Sequence, residues 1–170
     1  MFNGKSIRKL KASEIDVRTQ SVKANGLILL LYKDARVDMN ILDETFGSEN
    51  WQREHKEIKG NVYCGISIWC DTKKMWVTKW DAGSESNTEK VKGKASDSFK
   101  RSGFNVGIGR ELYTSPFVWV NSADCKIENG KCYDKFEVEK ITYNADGAID
   151  GLSIINSKTK KRVFVQKPGA

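Results

Sequence analysis

Two prolines, Pro116 and Pro168, and one histidine, His55, are all that the 170 residues hold of either type. So little proline excludes a proline-rich linker. A lone histidine means that any Ser/Cys–His nucleophile system would rest on His55. That residue lies in the charged run Arg53-Glu54-His55-Lys56-Glu57 and reads as a surface side chain. Long apolar runs are missing too. The longest, Leu27-Ile28-Leu29-Leu30-Leu31, is far too short for a bilayer-spanning helix. No apolar stretch of the secretory kind follows Met1-Phe2-Asn3-Gly4-Lys5, so the expected location is a cytoplasm, without a membrane partner. The four cysteines, Cys64, Cys70, Cys125 and Cys132, fit no common zinc spacing. Cys64 and Cys70 share the apolar side of a strand pattern, where a reduced thiol is a small hydrophobe; neither metal nor disulfide is expected.

Nucleotide chemistry lacks its motifs. Gly4-Lys5-Ser6 matches the end of a phosphate loop, but the first glycine of that motif would lie before residue 1 and no strand precedes it. Gly107-x-Gly109 lacks a third glycine and does not link a strand to a helix start. No cofactor is expected.

Positive charge is plentiful: 29 Lys and Arg against 22 Asp and Glu, a formal net charge of +7. The excess sits at the ends. Lys5, Arg8, Lys9, Lys11, Arg18 and Lys23 face only Glu14 and Asp16 within residues 1–23, and Lys158, Lys160, Lys161, Arg162 and Lys167 meet no acid within 151–170. Basic ends point to a polyanionic partner such as nucleic acid, or to a solvated basic face.

Periodicity organises the rest. Asn25 to Tyr32 reads as a fully buried strand, and Arg36 to Phe46 as a short helix with Val37, Ile41, Leu42 and Thr45 on one face and Gly47 as the stop. Val62, Cys64, Ile66, Ile68 and Cys70 alternate, with Tyr63 and Trp69 opposite; Trp76, Thr78 and Trp80 follow at period two. This predicts an antiparallel meander near 51–58, 61–70 and 74–81. A polar loop follows at 81–87. Thr88 to Asn105 is the longest helical pattern, and Gly107-Ile108-Gly109 should leave helical geometry. Asn121 to Asp134 is a polar excursion. Three more strands are expected at 136–143, 149–155 and 162–166. Strands cluster instead of alternating with helices, so the fold class is α+β: an antiparallel sheet in a β-β-β-α core packed against a long helix, with additional C-terminal strands.

The segment Lys92-Gly93-Lys94-Ala95-Ser96-Asp97-Ser98-Phe99-Lys100-Arg101, continuing through Gly107-Ile108-Gly109-Arg110-Glu111-Leu112-Tyr113, resembles the signature of phage members of the Rad-fifty-two superfamily of single-strand annealing proteins. Phe46-Gly47 with Trp51, and Gly60-Asn61-Val62-Tyr63-Cys64-Gly65, resemble two upstream pieces of that family, in the correct order, over about residues 25–118. The resemblance implies a core at 1–120, a small β extension at 121–170 and a ring or helical homo-oligomer. It implies binding of single-stranded DNA and ATP-independent annealing to a complementary strand in recombination and repair, in a bacterial host cytoplasm. A host or phage single-strand-binding protein is a further candidate partner. No bond is broken, so no enzyme is implied.

Lys100 and Arg101 match the family's Lys-Arg pair in the DNA groove. A basic residue three positions further on in the family is Phe104 here. Arg18 corresponds to an N-terminal family arginine. The basic residue after the hairpin glycine is Asn61 here, with Lys59 beside it as a substitute. Lys90, Lys92, Lys94 and Arg110 are candidates on charge. Trp69, Trp76 and Trp80 either stack bases or form a core or subunit interface. The basic stretch 158–162 either holds a second strand or is a solvated hairpin tip. Two other readings stay open: a monomeric single-strand-binding module that does not anneal, and a Mg²⁺-dependent nuclease built on Asp43 with Glu54-x-Lys56 or Glu57-x-Lys59.

Overall fold

A computed structural model describes residues 3–83 and 90–169; the side chains of Lys90, Val91 and Lys92 lie outside that description. Among the described residues the chain forms strands β1 (Asp16–Lys23), β2 (Gly26–Tyr32), β3 (Trp51–Ile58), β4 (Asn61–Cys70), β5 (Met75–Ala82), β6 (Val118–Asn121), β7 (Ile127–Glu128), β8 (Lys131–Cys132), β9 (Phe136–Tyr143), β10 (Ile149–Asn156) and β11 (Arg162–Gln166). Two α-helices, α1 (Ala35–Phe46) and α2 (Lys90–Val106), complete an α+β fold whose strands all pair antiparallel. Most of the polar loop expected at 81–87, and the expected helix start at Thr88, fall outside the described residues. No described helix is long and apolar enough to cross a membrane.

The chain divides into two compact units, Met1–Lys9 with Asp34–Gly109, and Leu10–Lys33 with Arg110–Ala170. This differs from a division at residue 120. Residues 16–32 and 118–121 belong with the C-terminal strands because β1 and β2 pair with β9 and β6.

The first unit is a meander and two helices. Asp34 caps α1, its carboxylate accepting from the Arg36 backbone N–H at 2.8 Å, and Gly47 ends the helix at φ +83°. Ile41, Leu42 and Phe46 are buried at helical spacing. Lys59 and Gly60, both at positive φ, turn β3 into β4. Cys64, Ile66 and Ile68 of β4 are fully buried on the side where α2 packs, against Phe99 and Val106. α2 lies close to the sheet's exit. A side chain at Gly83 would meet the Lys94 carbonyl oxygen, so the chain passes there only as glycine. The Ser102 hydroxyl donates to the Cys64 carbonyl oxygen across the same interface. Gly107 at φ +123° and Gly109 at φ +72° then take the chain out of helical geometry.

The second unit is a six-stranded sheet in the order β11-β10-β9-β1-β2-β6, curled into a nearly closed barrel. Leu27, Leu29 and Leu31 face its core with Val118, Val120, Phe136, Val138, Leu152 and Ile154. β2 is therefore buried on one face; Ile28, Leu30 and Tyr32 are half-exposed, as an antiparallel sheet packed on one side allows. The carboxylate of buried Glu111 accepts from the Leu10 N–H at 2.7 Å, and the Tyr143 hydroxyl donates to the Leu10 carbonyl oxygen at 2.7 Å. Burial, then the charges of Glu111 and Glu14, push the Tyr143 hydroxyl pKa up.

Candidate nucleic-acid interface

The register of the meander decides which charges lie beside α2. Trp51, Arg53 and His55 of β3 pair with Ile68, Ile66 and Cys64 of β4, which pair in turn with Val77, Lys79 and Asp81 of β5. Cross-strand partners share a face, so Arg53, His55, Lys79 and Asp81 belong to the helix side of the sheet. The Arg53 guanidinium lies 4.8 Å from the Phe99 ring centroid, and His55 Nε2 is 3.2 Å from the Ala95 carbonyl oxygen. His55 is exposed, as the sequence predicts.

Lys94, Lys100 and Arg101 all project from α2, Lys94 and Lys100 half-buried and Arg101 exposed. Lys90 and Lys92 belong to the same helix, but their side chains lie outside the described residues. The Lys100–Arg101 pair is not one double clamp. Arg101 Nε reaches Asp81 Oδ1 at 3.3 Å, and Asn105 Nδ2 reaches Asp81 Oδ2 at 3.3 Å and the Trp80 carbonyl oxygen at 2.9 Å. Lys100 acts on a different acid. The Asp34 carboxyl is held below its usual pKa first by hydrogen bonds from Arg36, with the Lys100 charge a smaller contributor. Consecutive helical positions diverge by about 100°, which sends the two cations to two flanks of α2.

The remaining candidates are spread out. Lys59 sits exposed at the β3–β4 turn of the first unit. Arg18 and Arg110 are exposed in the second unit, with the Arg18 guanidinium 5.5 Å from the Tyr32 ring centroid. The basic stretch near the C-terminus is paired with acids: Lys160 with Glu137 at 2.6 Å, Lys161 with Asp124 at 2.6 Å, and Arg162 with both Glu139 oxygens at 2.6 and 2.8 Å. Sequence reasoning passed over Arg53 and Lys79. The signal was the period-two register that puts them opposite Ile66.

The carboxylates of the nuclease reading do not converge. Glu54 and Glu57 are three residues apart on β3 and so point to opposite faces. Glu54 is bridged to Lys56 at 3.3 Å, and Asp43 accepts from Trp51 Nε1 at 2.7 Å. Among the described residues no three His, Cys, Asp or Glu side chains gather as a metal site. Burial pushes the Cys64 thiol up to about 11.

The three tryptophans lie on the other side of the sheet. Trp69 and Trp76 are cross-strand partners in edge contact, with centroids 5.6 Å apart. Trp80 sits over Gly65, where an added Cβ would meet the indole at 2.7 Å. Lys56 Nζ lies 4.8 Å from the Trp80 ring centroid. They are therefore no part of the core beneath α2. Comparison with family models, with curated proteins and with solved structures finds no match for this chain.

Proposed function

We propose that the chain binds single-stranded DNA along the basic side of its first unit and anneals complementary strands without nucleotide or metal, as a homo-oligomer of the phage single-strand annealing type. The observation that carries this reading is the setting of α2. A helix packed firmly on a sheet presents Lys94, Lys100 and Arg101, with Arg53 and Lys79 beside it. Among the described residues Arg101 is held by a part-exposed ion pair with Asp81, worth little in water and open to exchange for a phosphate. The resemblance over residues 92–113 falls on this helix and its exit.

Phosphates bound to such cations release counterions, and this supplies sequence-independent affinity. Base edges left outward test a second strand. Repetition around an oligomer turns weak contacts into a continuous track. In the test, Lys100→Ala combined with Arg101→Ala weakens binding of a labelled oligo(dT) while the protein elutes at the same size. The salt slope of binding falls by about 1.4, the value for two lost single-strand phosphate contacts. Unchanged affinity and slope would remove these residues from the interface.

A further inference from the structure

The face of the meander turned away from α2 carries aromatic side chains in solvent. Trp76 and Trp80 are each 37% exposed. From β4 come Trp69 and Tyr63, both half-buried. Soluble proteins seldom leave this much aromatic surface on one sheet face without a partner. We propose that this face is a base-stacking platform for single-stranded nucleic acid, with Trp76 and Trp80 as its two anchors. The proposal rests on the single-strand-binding reading and adds a contact that the basic helix does not supply.

Three features favour a nucleic acid strand over a second protein surface. First, spacing: Trp76 and Trp80 are four residues apart on one strand face, ~13 Å, room for a strand to place bases on both with a nucleotide between them. Second, the middle of the face is polar. The Ser67 and Thr78 hydroxyls bond to each other at 2.8 Å between the two anchors, and Glu54 and Lys56 lie on the same face along β3, opposite Gly65 and Tyr63. Ser, Glu and Lys are all depleted at protein–protein interfaces relative to the rest of a protein surface. Third, cations frame the aromatics. Lys56 lies over the Trp80 ring, Lys59 sits at the β3–β4 turn, and Lys73 and Lys74 are exposed at the β4–β5 turn beside the Trp69–Trp76 pair. A base that stacks on Trp80 displaces the Lys56 ammonium from the ring toward the adjoining phosphate. Stacking uses the faces of the bases and leaves their hydrogen-bonding edges free to pair, so it is compatible with annealing.

Quenching of tryptophan fluorescence by oligo(dT), set against an abasic deoxyribose-phosphate oligomer of equal length, tests this directly. Oligo(dT) should quench and the abasic oligomer should not. Trp76→Ala and Trp80→Ala should each bind oligo(dT) about tenfold more weakly, with the salt slope unchanged, because no phosphate contact is lost. Trp76→Phe and Trp80→Phe should recover most of the affinity, which separates loss of stacking from loss of fold. If wild-type protein binds oligo(dT) and both alanine variants bind equally well, the platform is refuted and the DNA-binding reading stands. If the alanine variants change the oligomer's size and leave DNA affinity intact, the face is a contact between copies and the platform is refuted. If wild-type protein binds no oligo(dT), both readings fall together.

Discussion

Asp81 is the residue on which the proposed groove turns. Its carboxylate holds Arg101 and Asn105 and also accepts from the Ala82 N–H at 2.8 Å. A negative charge beside a phosphate-binding arginine opposes the ligand, and an exposed pair of this kind is easily exchanged. Asp81→Asn keeps an acceptor for Ala82 and removes the charge. It should tighten oligo(dT) binding several-fold at low salt, and the gain should shrink as salt screens it; equal or weaker affinity would show that Arg101 does not reach the strand. Ser102 makes the opposite kind of contact. It is fully buried and satisfies the Cys64 carbonyl oxygen. Ser102→Ala removes this second hydrogen bond from an oxygen that also lies in the β4–β5 ladder, and should cost about 0.5–1.5 kcal/mol in urea unfolding, with DNA affinity per folded molecule unchanged. Cys64 itself, with its thiol pushed up to about 11, stays protonated at neutral pH and should resist alkylation until the protein unfolds.

At the scale of elements, the two helices are anchored by different devices. α1 depends on its cap. Asp34→Ala removes the N-cap acceptor and should cost about 0.5–2 kcal/mol at pH 7. The Asp34 carboxyl is held below its usual pKa, by Arg36 first, so its contribution is full above the unfolded value and is lost as pH falls through the folded one. The gap between wild type and variant should therefore be narrower at pH 3 than at pH 7 in paired urea titrations. α2 depends on close approach at Gly83. The meander was legible in the sequence because Cys64, Ile66 and Ile68 keep strict alternation, and each strand met its predicted span within a residue. β1 was not. Its pairing with β2 slips between Thr19 and Ser21, so the period-two pattern breaks in mid-strand. β6 was missed because it is only four residues long. The site divided in the same way. Lys100 and Arg101 could be read from the motif and Lys94 from charge, whereas the placement of Arg53 on the helix side of the sheet required the register that puts it opposite Ile66. Arg110 follows α2 closely in sequence, but beyond Gly107 and Gly109 the chain enters the other compact unit.

At the scale of the whole molecule, the net charge of +7 is distributed unequally in effect. Lys160, Lys161 and Arg162 pair with Glu137, Asp124 and Glu139 within the barrel unit, whereas the cations of the proposed strand contact belong to the meander unit, where Arg101 pairs with Asp81. The account thus expects DNA affinity to follow the first unit and to be little changed by Lys160→Ala or Lys161→Ala. Its central claim is annealing, which requires a captured backbone and free base edges but no nucleophile or nucleotide. The most direct test mixes two complementary labelled oligonucleotides with the protein in EDTA, without nucleotide, across a salt series. The account predicts annealing well above the spontaneous rate, slowing as salt rises. Binding of either strand with no acceleration would contradict it and leave a protective single-strand-binding module in its place.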